Sequence, residues 1–244
     1  MRVRQQQRDG AGQQRLERAA RARAELGQRG ERELAVEEQD RRALGRVAAL
    51  EQVEALDGRL VVGVAVFPAD TVYGLACEPD NREAVTQLYF LKRRRPDKPA
   101  AVMFFDRELA LAALPELGAR TREALEALLP GAVTLLLPNP RRRFPLACGP
   151  DPDTLGLRVP VLPALAGAPP VLQSSANVAG GPDARRLTEI PQAIRDGADL
   201  VLDGGELPGT PSTVLDLRGY EDAGRWTIVR PGAVPEAEIA ACAS

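Results

Sequence analysis

The sequence predicts a mixed α/β (α+β) protein, a single mixed β-sheet with flanking helices. Two observations carry that expectation. Short apolar runs interleave irregularly with segments of helical period, which departs from the even alternation of a parallel βαβ array. The 244 residues, 44% hydrophobic and 27% charged, suit one core of ordinary domain size plus an extension. The expected organisation is an Arg/Gln/Glu-rich extension over 1–45, a domain over 46–236 and a tail over 237–244.

Each element has its own signal. Residues 1–33 are rich in Arg, Gln and Ala without a clean apolar stripe, which suits frayed helix or disorder. Leu34, Leu44, Val47, Leu50, Val53 and Leu56 recur at three- to four-residue intervals over much of the next stretch, and Asp57-Gly58 stops it. LVVGVAVF (60–67) is a continuous apolar run between Gly58 and Pro68 and reads as a buried strand. Residues 82–94 read as a helix ended by Pro96 and Pro99. A strand follows over 100–105, a helix over 121–129 with Pro130-Gly131 as its stop, and strands over 133–138, 155–160 and 170–175. A short helix near 188–196 precedes strands over 199–205, 212–217 and 226–232.

Composition excludes several chemistries. There is no histidine, so no imidazole can act as base, triad member or metal ligand. Cys77, Cys148 and Cys242 lack CxxC spacing, which argues against a zinc site or a disulfide framework and for reduced thiols packing as small apolar groups. No apolar run is long enough to span a bilayer and no signal-peptide core is present, so the expectation is a soluble, cytoplasmic protein. Net charge is −2, split into +4 over residues 1–50 and −6 over the rest. The first segment suits a solvated helical extension, or one lying along RNA or an acidic partner. Of 32 basic residues only Lys92 and Lys98 are lysines, and their proximity hints that an ammonium is needed there.

Polar and glycine-rich loops follow three of the expected strands: 68–74, 174–181 and 203–213. Each offers hydroxyls, backbone N–H groups and close approach, the ingredients of an anion cradle. Lys92, Arg93, Arg94, Arg95 and Lys98 form a basic knot suited to phosphates. Neither GxxxxGK[ST] nor GxGxxG is present, so a nucleotide would be bound by another architecture.

FPADTVYGLACEPDN (67–81), LYFLKRRRPDKPAAV (88–102), LPGAVT (129–134), LGLRVP (155–160), SSANVAGG (174–181), LDGGELPGTPSTVLD (202–216) and IVRPGAV (228–234) together resemble the Sua5/YrdC/TsaC family of L-threonylcarbamoyladenylate synthases. The ordered set DTVYG, K-x-R, S-x-N, PSTV and RPG is the specific part. The resemblance implies an open, twisted YrdC-like sheet with a positively charged concave face. It also implies an activity: condensation of L-threonine, bicarbonate (or CO2) and ATP, with Mg²⁺ bound through the ATP phosphates, into threonylcarbamoyl-AMP and pyrophosphate. The product would pass to a downstream threonylcarbamoyl transferase complex for t6A at position 37 of tRNAs reading ANN codons, with tRNA contact by this chain an open expectation.

By the same resemblance, Thr71, Arg158 and Ser212 are expected to contact threonine. Arg94, Lys98, Thr134, Ser175, Asn177 and Arg230 are expected to contact ATP, and Lys92, Arg94, Ser175 and Asn177 to form the catalytic set. The chain departs from the family pattern at Ala69 (PTDTVYG), at Leu129 and Ala132 (WPGPLT), at Ala179 (SANxSG) and at Arg93 and Arg95 (KGRP). The competing expectation is a non-catalytic YrdC-like RNA-binding protein in tRNA or ribosome biogenesis. Against that stand the net-acidic body and an aromatic content of 4%, which leaves few platforms for base stacking.

Overall fold

The computed structural model describes residues 63–242. The extension over 1–45 and the helical periodicity over 34–56 lie outside the described residues. Nine strands form one mixed sheet in the order β7-β1-β2-β6-β3-β5-β4-β8-β9. They are β1 (Ala65–Pro68), β2 (Tyr73–Cys77), β3 (Ala101–Met103), β4 (Val133–Pro138), β5 (Thr154–Arg158), β6 (Val171–Ser175), β7 (Leu200–Val201), β8 (Thr213–Asp216) and β9 (Thr227–Arg230). Helices are α1 (Arg82–Leu91), α2 (Arg107–Ala113), α3 (Ala119–Leu128), α4 (Pro145–Cys148), α5 (Gln192–Asp196), α6 (Tyr220–Ala223) and α7 (Glu236–Cys242).

The period-2 pleat explains where the core ends and the open face begins. Leu135 and Leu137 of β4, Leu155 and Leu157 of β5, and Leu215 of β8 are buried in one cluster that also takes Leu88 of α1, Leu111 of α2, Leu125 of α3 and Ile239 of α7. Their alternate neighbours Thr134, Leu136, Gly156 and Val214 line a cleft instead. The helices therefore gather on one face and leave much of the other free. A smaller cluster of Phe67, Ala69, Ala76, Met103, Phe105, Val171 and Leu202 covers part of that second face.

Several elements differ from the sequence expectation. Segment 73–77, read as loop, is strand β2, fully buried and paired with β1 and β6. Segment 69–72 is the connection between β1 and β2. Helix α2 was not expected; Asp106 caps it by accepting from the Glu108 and Leu109 N–H groups. The strand over 199–205 shrinks to Leu200–Val201, and its Asp203-Gly204-Gly205 end packs on the Tyr73 hydroxyl instead. Residues 237–242, taken as part of a tail, belong to α7. That helix follows Pro235, starts with Glu236 and Glu238, and drops Ile239 fully into the core.

Candidate active site

A cleft of about 450 Å³ crosses the open face of the sheet. Its floor is a row of small residues: Ala101 pairs with Gly156 on one side and Gln173 on the other, and Gly156 pairs with Leu136. A Cβ on Gly156 would sit in ordinary contact, 3.4 Å from the Ala100 carbonyl oxygen and the Ala101 Cα, and its absence keeps this part of the floor low. Four guanidinium groups (Arg94, Arg158, Arg218, Arg230) and two carboxylates (Asp151, Asp183) are the charged side chains lining it. The cleft is cationic although the chain is not. Strand residues of β3, β4, β5, β6 and β8 form its floor.

Arg158 ends β5 and is buried. It pairs with Asp70 and donates from Nη2 to Thr71 Oγ1 at 2.9 Å. Burial lowers its pKa, the nearby Arg230 acts in the same direction, and Asp70 opposes both. Its Nε is buried without a hydrogen-bond partner, an unmet donor on a residue lining the cleft. Thr71 itself does not line the cleft and reaches the site through Arg158. Asp70, to which the sequence reading gave no role, sits next to Thr71 in the same motif and also accepts from the Val161 N–H at 3.3 Å.

Ser212 and Thr134 share a hydroxyl–hydroxyl hydrogen bond of 2.8 Å, a consequence of parallel pairing between β4 and β8. Arg230 of β9 donates to the Ser212 carbonyl at 2.7 Å. Gly232 seats this corner: a Cβ there would lie 2.4 Å from the Pro211 carbonyl oxygen and 2.5 Å from the Ser212 carbonyl carbon. At the far end Arg218 pairs with Asp216 at 2.6 Å and reaches Thr154 Oγ1 at 3.3 Å.

Lys92 is placed differently from its expectation. It is 1% exposed and absent from the cleft lining. Its ammonium donates to the Ser175 carbonyl and, at 2.9 Å each, to the carbonyl and Oδ1 of Asn177. All three N–H donors are used on the segment that carries Ser175. Burial lowers the Lys92 pKa to about 8, with Arg94 acting the same way and Asp183 opposing. Ser175 Oγ donates to Asn177 Oδ1 at 2.7 Å, and Asn177 Nδ2 donates to Gly181 O at 2.7 Å and Asp183 Oδ1 at 3.2 Å. Asn177 is thus consumed in a scaffold, and Ser175 and Asp183 are the members that line the cleft.

The turn after α1 sends Arg93 and Arg94 in different directions. Arg93 adopts φ +48°, and the Arg94 N–H bonds back to the Tyr89 carbonyl at 2.9 Å, the Schellman closure that normally favours glycine. Arg93 is thereby exposed and Arg94 lines the cleft. Arg94 Nη2 donates to Pro99 O at 2.5 Å, and its Nε is buried without a partner. Lys98 is exposed and lies outside the cleft lining. Of the expected residues, then, Arg94, Thr134, Arg158, Ser175, Ser212 and Arg230 line one cleft; Thr71, Lys92 and Asn177 stand behind them; Lys98 does not join. Gln173, Asp183 and Arg218 line it without having been singled out.

The sequence profile of the family described as Telomere recombination (Sua5_yciO_yrdC) matches residues 62–232. The chain belongs to the Sua5/YciO/YrdC family. A relative in Chromohalobacter salexigens named threonylcarbamoyl-AMP synthase is 35% identical over 162 residues, covering 64% of this chain and 86% of that protein. One of the same name in Stutzerimonas stutzeri is 33% identical, covering 69% and 90%. The solved structure of P. abyssi Sua5 complexed with L-threonine superposes with a TM-score of 0.65 at 26% identity. It covers 82% of this chain, which spans 57% of that longer protein. E. coli YciO shares the fold at a TM-score of 0.62 and 24% identity. Among the described residues no helix of this family member is long and apolar enough to cross a membrane.

Proposed function

We propose that this protein joins L-threonine, bicarbonate or CO2, and ATP into L-threonylcarbamoyl-AMP, releasing pyrophosphate. The observation that carries the proposal is the convergence of Arg94, Arg158 and Arg230 with Thr134, Ser175 and Ser212 on one cleft. Relatives named threonylcarbamoyl-AMP synthase support it, as does a related Sua5 that binds L-threonine.

The reaction asks little of an enzymic acid or base. The threonine amine adds to CO2 and loses a proton, giving a carbamate. A carbamate oxygen then attacks the α-phosphorus of ATP, and the bond to the leaving pyrophosphate breaks. Catalysis is alignment plus neutralisation of phosphate charge, which suits a site with guanidinium groups, hydroxyls and no histidine. Arg158, fixed in place by Asp70 and Thr71 and lining the cleft, presents its guanidinium to the threonine carboxylate. Arg94 and Arg230 flank the triphosphate, and Ser175, whose hydroxyl proton is taken by Asn177, forms the wall beside it. Lys92 acts behind them by fixing Ser175. Mg²⁺ bound through the ATP phosphates would screen their charge. The product would serve t6A formation at position 37 of tRNAs that read ANN codons, through a separate threonylcarbamoyl transferase complex.

The test is pyrophosphate release by the purified protein with ATP, Mg²⁺ and bicarbonate. Release that depends on L-threonine is expected. Release indifferent to threonine, or none, sinks the proposal.

A further inference from the structure

The floor of the cleft holds a polar side chain that the proposed chemistry does not use. Gln173, in β6, is 7% exposed and lines the cleft. Among the described residues its carboxamide has no hydrogen-bond partner. Buried amides are ordinarily paired, so an unpaired one facing a cavity marks a place for a ligand group. In the sheet Gln173 stands in register with Ala76 on one side and Ala101 on the other, and neither methyl group offers it a polar contact. Its nitrogen lies over Gly74, where a Cβ would come within 2.8 Å of it and 3.0 Å of Phe67 Cε1. The glycine of DTVYG thus leaves the room in which this amide sits.

Position along the sheet says what the amide would meet. Arg158 stands in register with Met103, and Met103 with Val171, two residues before Gln173. Ser175 stands two residues after it, on the same face of the pleat. Gln173 therefore lies between the guanidinium assigned to the threonine carboxylate and the wall beside the triphosphate. In the reacting assembly the group that joins those two ends is the carbamate. One edge of a carbamate presents an N–H donor beside an oxygen acceptor. An arginine can only donate, whereas a carboxamide both donates and accepts. We propose that Gln173 orients the carbamate. Its Oε1 accepts from the carbamate N–H and its Nε2 donates to the oxygen that does not attack, which leaves the other oxygen turned to the α-phosphorus. This inference rests on the synthase reading and deepens it.

The test is steady-state pyrophosphate release with bicarbonate varied at saturating ATP and L-threonine. Gln173→Leu keeps the bulk and removes both polar atoms. It is expected to lower kcat/KM for bicarbonate about tenfold or more, the loss of hydrogen bonds to a charged group. The KM for ATP is expected to stay within about twofold, as for a residue that touches no part of the nucleotide. Preference for L-threonine over L-2-aminobutyrate, which lacks the hydroxyl, is expected to hold. Gln173→Glu, which has no donor when ionised, is expected to lose at least as much as Gln173→Leu. Because leucine leaves no polar group unpaired, its thermal midpoint is expected to be no lower than that of the wild type. Wild-type kinetics in Gln173→Leu would overturn the proposal and leave the synthase reading standing. So would a loss confined to the threonine preference, which would put Gln173 on the threonine hydroxyl, or one confined to the KM for ATP, which would put it on the nucleotide. A lowered midpoint with equal losses for all three substrates would make the residue structural and also overturn it. Wild-type protein that releases no pyrophosphate in response to threonine would remove the synthase reading itself, and this inference with it.

Discussion

The Asp70–Arg158 pair shows what a buried charge demands of its neighbours. Both side chains are nearly sealed from solvent, at 10% and 4% exposure, and removing one partner strands the other. Asp70→Ala is expected to cost about 3 kcal/mol of unfolding free energy in a urea titration. Adding Arg158→Met to that variant is expected to recover much of the stability and none of the threonine-dependent turnover. Recovery of both would make the pair purely structural. Lys92 gives a second prediction, with a sign that separates site from fold. Its pKa falls from 10.5 to about 8 on folding, so between those values the unfolded chain binds more protons and this group makes the protein more stable as pH rises. Yet above about pH 8 a neutral amine has two N–H donors for three acceptors, and Ser175 loses its anchor. Turnover is expected to fall on the alkaline side of that value while the thermal midpoint does not fall with it. A kcat that stays flat well above that pH would remove Lys92 from the positioning of Ser175.

At the scale of elements, the runs with a bulky apolar pattern were legible and the small ones were not. VTLLLP announced β4 residue for residue, because alternate leucines must be buried on the helix face. Tyr73–Cys77 was opaque: it is buried on both faces, holds a glycine and an alanine, and follows a turn so closely that it reads as loop. The site divides the same way. Cations and hydroxyls in ordered blocks pointed to the cleft, whereas nothing local separates Lys92, which works from behind, from Arg94, which lines the wall. Burial decides that, and burial is a property of the assembled sheet. The β8–β9 corner can be tested directly. Gly232→Ala would drive a methyl group into the Pro211–Ser212 backbone, which cannot yield as a flexible side chain could. The expected result is a rise in the KM for ATP and for threonine together, because Arg230 and Ser212 move apart, with a lowered thermal midpoint as the clash strains the corner. An unchanged KM for both would show that the corner does not hold the substrates.

For the whole molecule, the decisive asymmetry is that helices gather on one face of a nine-stranded sheet and leave arginines concentrated on the other. Arg230 lies close enough to Arg158 to make its charge less favourable, and Asp70 pairs with Arg158. Self-repulsion of this kind is relieved by a polyanion, so binding and folding should be linked. At about one hundred times its dissociation constant, a ligand that binds only the folded state adds about 2.7 kcal/mol. For a domain of this size that corresponds to a rise of about 5–10 °C in Tm. ATP, and pyrophosphate as the triphosphate's mimic, are expected to produce it in a thermal melt, and Arg230→Ala to reduce it while leaving the unliganded Tm the same or slightly higher. If ATP leaves the melt of the wild-type protein unmoved at millimolar concentration, the cationic face is not a triphosphate site, whatever its family.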